Sequence, residues 1–147
     1  MSKKKFISIV VPVFNEEKNI YKLYFELIKV LAKISYHFEI IFVNDGSQDK
    51  SQLKIKKLKK IDSRVRLISL TRNFGKELTT TAGINNCRGD GCLMIDADLQ
   101  HPPSLIPKFI KKWEEGASVV IGVRKSNKGE GLTKKIGSKI FYKIINK

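Results

Sequence analysis

Asp96-Ala97-Asp98 sets two carboxylates at alternate positions directly after the short apolar run Cys92–Ile95. Alternate side chains of an extended segment point the same way, so both carboxylates can address one site. Unaided, they repel a phosphate: one pair of like unit charges ~4 Å apart costs about 4 kcal/mol at an effective dielectric of ~20. A divalent cation reverses that sign. Mg²⁺ or Mn²⁺ combines one or two carboxylates with phosphate oxygens, which makes Asp96 and Asp98 candidate metal ligands. Gln100 adds a neutral oxygen at the next alternate position. The ion would act as a Lewis acid on a leaving diphosphate, so Asp98 is a candidate catalytic residue acting through the metal. A D-x-D pair also occurs in ordinary solvated acidic loops and is weak evidence alone.

Asn44-Asp45-Gly46-Ser47 reads either as a plain turn with a helix cap or as a base-binding corner. In the second reading Asp45 accepts a hydrogen bond from a base N–H and Gly46 permits close approach. Arg72-Asn73-Phe74-Gly75-Lys76 places two cations where a strand ends and a helix starts, an anion site or a basic loop. Arg124 follows the apolar run Ser118–Val123 and can fork onto phosphate. His101, in His-Pro-Pro, reads as shaping the acidic loop, and His37 as structural. There is no G-x-G-x-x-G and no G-x-x-x-x-G-K-[ST], which disfavours a dinucleotide fold and a P-loop hydrolase. No Ser/His/Asp or Cys/His arrangement suggests a covalent nucleophile.

Positioning these groups falls to alternating strands and helices. Phe6–Val13 is a near-continuous β-branched run, as expected of a strand buried on both faces of a parallel sheet. Asn15 can cap a following helix whose first turn holds Glu16 and Glu17 and whose apolar stripe runs from Ile20 to Ile34. Phe38–Val43 is the next strand, followed by a Lys-rich helix to about Ile61. Val65–Leu70 is a third strand, with a helix from the Thr71–Gly75 loop to about Cys87. Cys92–Ile95 is a short buried strand, and Asp96–Pro103 is an acidic loop. A helix over Ser104–Glu115 ends at Gly116, Ser118–Val123 is a fifth strand, and a last helix starts near Thr133. Strand–helix repetition implies an α/β fold: an open, mostly parallel sheet with helices on both faces and right-handed crossovers. Such sheets bind ligands outside the carboxyl ends of their strands. Asn15–Glu17, Asn44–Ser47, Thr71–Lys76, Asp96–Gln100 and Gly122–Lys125 all fall there.

Length and composition fit a single domain: 147 residues, 41% hydrophobic. Lys and Arg outnumber Asp and Glu by 29 to 14, giving a net charge of +15 and calling for an anionic partner. Cys87 and Cys92 are not spaced as C-x-x-C and read as small apolar fillers in a reducing compartment. No signal peptide is recognisable, and no stretch reaches the ~18 apolar residues of a membrane span. The expected location is therefore the cytoplasm or the cytoplasmic membrane face. Lys135, Lys139, Lys143 and Lys147 flank an apolar stripe in the last helix, which suits either core packing or peripheral contact with an anionic membrane.

Together, Val11–Glu17, Val43–Ser47, Arg72–Lys76, Asp96–Pro103 and Gly122–Arg124 resemble glycosyltransferase family 2, and most nearly its polyprenyl-phosphate and dolichyl-phosphate sugar transferases. The resemblance implies a GT-A-like fold and inverting transfer from a UDP- or GDP-linked sugar to a polyprenyl phosphate. It also implies roles: Pro12, Phe14 and Glu16 lining the nucleoside pocket, Asp45 reading the base, and Lys76 and Arg124 near the diphosphate. Asp96, Ala97 and Asp98 would line the donor site, with Asp96, Asp98 and Gln100 at a Mg²⁺ or Mn²⁺. Close relatives have a further arginine three residues after Arg124, where this chain has Asn127. The family's acceptor-side segment and catalytic base are not recognisable, and the chain stops inside a helical pattern at Asn146-Lys147. Residues 1–147 therefore read as one incomplete domain. The competing readings are a donor-binding remnant without turnover and a basic nucleic-acid module. The aromatics argue against the second, because they sit in apolar patterns rather than among the lysines.

Overall fold

The near-unbroken apolar run Phe6–Val13 forms β1, and its place in the middle of the sheet accounts for its composition. In the computed structural model, which describes residues 5–123, β1 pairs in parallel with β2 (His37–Asn44) on one side. On its other side it pairs with β4 (Gly91–Met94), and β3 (Val65–Ser69) lies beyond β2. The order β3-β2-β1-β4 is an open parallel sheet, as the strand–helix pattern predicts. Helices α1 (Ile20–Leu31), α2 (Ser51–Ile61) and α4 (Ile106–Glu114) bury Leu23, Leu27, Ile55, Leu58, Ile106 and Ile110 with Ile9 and Val11. Helix α3 (Lys76–Asn85) covers Val10, Ile41 and Val43 on the opposite face. It lies very close: a Cβ on Gly83 would come within 2.3 Å of Val10 Cγ1.

Two sequence expectations need correction. Asn15 does not cap α1. It takes a left-handed φ of 55°, and α1 begins only at Ile20 and stops at Leu31, short of Ile34. Ser118–Val123 is not a strand. Among the described residues β4 pairs only with β1, and Ser118–Val123 lines a cavity of about 960 Å³ together with β4. Val119, Ile121 and Val123 stand exposed. A β-prone sequence becomes a strand only with a ladder partner, and none is present among the described residues. Arg124, Asn127 and the basic amphipathic segment from about Thr133 lie outside those residues. Within them, no helix is long and apolar enough to cross a membrane.

A buried carboxylate fixes the α2–β3 turn. Asp62 accepts hydrogen bonds from the Tyr24 hydroxyl and from Arg64 Nε and Nη2, at 2.8, 2.9 and 2.9 Å. The Arg64 guanidinium holds the Asp62 carboxyl down to about 2, against the opposing effect of burial. A carboxyl with a depressed folded pKa stabilises the fold above its unfolded value, and that contribution is lost as pH falls through the folded value. Asp62 should thus contribute about 2 kcal/mol near neutrality that disappears between roughly pH 4 and pH 2. Urea unfolding across that range checks this: Asp62→Asn is expected to flatten the decline, and an unchanged slope would refute it.

Candidate functional site

The carboxyl ends of β1, β2 and β4 and the start of α3 enclose a cleft of about 270 Å³. It is lined by Pro12, Phe14, Glu16, Asp45, Lys76, Asp96, Ala97 and Asp98, together with Val13, Asn73, Gly75 and Thr79. The structure thus brings together every described residue that sequence singles out for the nucleotide sugar. Gln100 instead borders the larger neighbouring cavity.

Loops after β1 and β2 are stitched to each other. Ser47 Oγ accepts from the Asn15 amide at 3.0 Å, and Asn15 Oδ1 accepts from the Gln48 amide at 2.9 Å. Ser51 Oγ accepts from the Glu16 amide, and Asp49 Oδ2 from the Glu17 amide. This exchange requires the left-handed turn at Asn15, a residue that tolerates it. Its effect is to present Phe14 at the rim, 44% exposed, beside Glu16.

Asp45 is almost wholly buried and has a role that its turn-like sequence hides. Its two carboxylate oxygens accept from the Phe74 and Gly75 amides at 2.7 and 3.0 Å. Gly46 permits a close approach of protein. Its φ is +67°, and a Cβ there would lie 2.5 Å from the Arg72 carbonyl carbon and 2.8 Å from the Asn73 nitrogen. Asp45 and Gly46 together hold Arg72–Gly75 against the end of β2. That fixes where α3 starts and so where Lys76 projects. The two cations of this segment part company: Arg72 stacks over the Phe74 ring, 4.9 Å from its centroid, while Lys76 faces the cleft.

Lys76 Nζ lies 2.6 Å from Asp96 Oδ1, and His101 Nδ1 lies 3.6 Å from Asp96 Oδ2. Asp98 Oδ1 accepts the Gln100 amide at 2.9 Å, across a turn in which Leu99 has φ +62°. For a bulky residue that conformation costs on the order of 1–3 kcal/mol and marks a constrained loop. Asp96, Asp98 and His101 each offer a ligand atom, and these atoms lie within 4.8 Å of one another. Two carboxylates and an imidazole make a donor set suited to Mn²⁺ and acceptable to Mg²⁺. His101, read from sequence as a loop former, joins the acidic pair because the turn at Leu99 folds the loop back. Nothing in the linear spacing announces that turn.

Solved structures share this architecture. Staphylococcus aureus TarS 1-349, determined in complex with UDP-GlcNAc, superposes with a TM-score of 0.62 at 24% identity, covering 88% of this chain and 37% of that one. Glucosyl-3-phosphoglycerate synthase from Mycobacterium tuberculosis, determined with Mn²⁺, UDP and glucosyl-3-phosphoglycerate, gives 0.58 at 23% identity over 74% of this chain and 39% of its own. The fold is that of the GT-A glycosyltransferases.

Sequence then gives the family. The glycosyl transferase family 2 profile matches residues 8–147, and the chain belongs to that family. An uncharacterized glycosyltransferase of Synechocystis is 41% identical over 96% of this chain and 44% of its own length. A prophage bactoprenol glucosyl transferase homolog of Escherichia coli K12 is 42% identical over 96% and 46%. The chain spans less than half the length of these relatives.

Proposed function

We propose that residues 5–123 bind the donor of a glycosyltransferase, a nucleoside-diphosphate sugar carried with Mg²⁺ or Mn²⁺. The whole protein would transfer the sugar, with inversion, to a polyprenyl phosphate at a membrane face. The observation that carries this reading is the convergence of Asp96 and Asp98 beside Lys76 in a cleft rimmed by Phe14, with His101 reaching the acidic pair from the neighbouring cavity. Support for the acceptor comes from relatives named bactoprenol glucosyl transferase, in Escherichia coli and Shigella phages. The ring of Phe14 supplies a face for the base, and the buried Asp45 at the cleft floor retains lone pairs for a base N–H.

In the transfer, an acceptor phosphate oxygen bonds to the anomeric carbon from the face opposite the diphosphate. The bond from that carbon to the diphosphate breaks, and its electron pair leaves with the nucleoside diphosphate. A metal held by Asp96 and Asp98, with His101 or Gln100 completing the set, would supply Lewis-acid stabilisation of that leaving charge. Lys76 neutralises Asp96 in the free protein. When donor binds, it swings to the diphosphate oxygens and adds a charge-assisted hydrogen bond. Arg124 is proposed to approach the same phosphates.

Calorimetric titration of UDP and GDP, in Mn²⁺ and in chelator, tests the donor reading. Metal-dependent heat with one nucleotide is expected, while no binding in either condition contradicts it. Lys76→Met gives a second test with opposite signs. Nucleoside diphosphate affinity should fall by roughly 10-fold, while Mn²⁺ alone, followed by electron paramagnetic resonance, should bind a few-fold more tightly because its competitor for Asp96 is gone. Parallel weakening of both would refute the exchange.

A further inference from the structure

We propose that Cys87 and Cys92 are a disulfide-forming modification site that clasps the end of α3 to the edge strand β4. Their sulfurs lie 3.2 Å apart as free thiols, joined by a hydrogen bond from Cys87. The turn between them is built rather than loose. Ser8 Oγ accepts from the Arg88 and Gly89 amides at 3.1 and 2.9 Å, and the buried Glu39 also accepts from Arg88 at 2.9 Å. Asp90 closes it from both sides, donating its amide to the Phe6 carbonyl and accepting the Phe6 amide. A Cβ on Gly89 would lie 2.6 Å from the Ser8 nitrogen, so this close turn needs glycine. The fixed turn holds the two sulfurs together before any oxidation, so little chain entropy remains to be lost on bridging.

The place of the pair gives the bridge a consequence. Helix α3 rests on β1 and β2, with Gly83 against Val10 and Val43. Among the described residues, two side-chain links join the helix and the turn after it to β4 and the loop that follows: Lys76 with Asp96 at the helix start, and Cys87 with Cys92 just past its end. A disulfide would make the second link covalent and hold the helix that carries Lys76 against the strand that leads to Asp96.

The chemistry closes with a low-molecular-weight disulfide as oxidant. The Cys87 thiolate attacks one sulfur of that disulfide, whose S–S bond breaks and releases a small thiol. The Cys92 thiolate then attacks the Cys87 sulfur and expels the second small thiol. Two protein thiols are oxidised, and one disulfide is reduced to two thiols. Burial and the adjoining Cys87 thiol push the Cys92 thiol up to about 12, and the proton it gives up on attacking the Cys87 sulfur leaves with the second small thiol.

The test incubates the chain with oxidised glutathione, blocks residual thiols with iodoacetamide, and maps peptides by mass. The expected product has Cys87 linked to Cys92 with no glutathione retained, while Cys92→Ser keeps one glutathione on Cys87. The melting temperature of the oxidised wild type should rise and return on reduction, a rise missing from Cys92→Ser. Glutathione retained on both cysteines of the wild type, or two thiols still free at a high ratio of oxidised to reduced glutathione, would overturn the proposal. The wild-type result decides even if the serine variant folds poorly.

Discussion

Asp98→Ala is expected to abolish metal-dependent nucleotide binding, lowering affinity for a nucleoside diphosphate in Mn²⁺ by more than ~100-fold. The size follows from charge. Without Asp98 the ion keeps Asp96, already engaged by Lys76, and His101 from the neighbouring cavity. The remaining acidic side chains, Glu16, Asp45 and Asp96, then repel the diphosphate with no bound cation to reverse the sign. The fold should survive, because the Asp98 side chain is exposed and its resolved partner is the neighbouring Gln100 amide. Calorimetry with and without Mn²⁺ reads the effect, and circular dichroism establishes folding. A folded Asp98→Ala protein that binds as tightly as wild type would remove the acidic pair from the account.

Gly46→Ala is expected to destabilise by about 3 kcal/mol or more. A positive φ is strained for alanine, and the new Cβ would meet backbone at 2.5 Å. Side chains can swing away from a clash of that kind; the Arg72–Asn73 backbone can yield only by moving. That movement strips the Phe74 and Gly75 amides from Asp45 and shifts the start of α3, taking Lys76 out of the cleft. Nucleotide affinity should therefore fall together with stability, even though Gly46 is not among the residues lining the cleft. Denaturant unfolding paired with calorimetry measures both. Lost stability with unchanged affinity would show that Arg72–Gly75 does not position the site.

Sequence carried the sheet well because parallel strands buried on both faces leave continuous apolar runs, as in Phe6–Val13 and Phe38–Val43. It carried the cleft for a topological reason: polar segments at strand carboxyl ends converge whatever their loops do. What stayed hidden shares one cause. Residue type does not show that Asn15, Asp45 and Gly46 also hold other loops, because their protein partners lie about thirty residues away. Cys87 and Cys92 resemble isolated apolar residues because the turn that joins them is fixed by Ser8, eighty positions earlier. Ser118–Val123 has the composition of a strand, yet pairing is a property of its neighbour and not of its own residues. His101 reaches Asp96 through the positive φ of Leu99, which leucine does not advertise.

The most direct test of the central claim is an anomalous difference map from crystals grown with Mn²⁺ and the nucleoside diphosphate that binds best. The account predicts one manganese peak bonded to Asp96 and Asp98, bridging to the diphosphate, with Lys76 withdrawn from Asp96 onto phosphate oxygens. Manganese away from Asp98, or a nucleotide seated outside the cleft between Phe14 and Asp96, would contradict it.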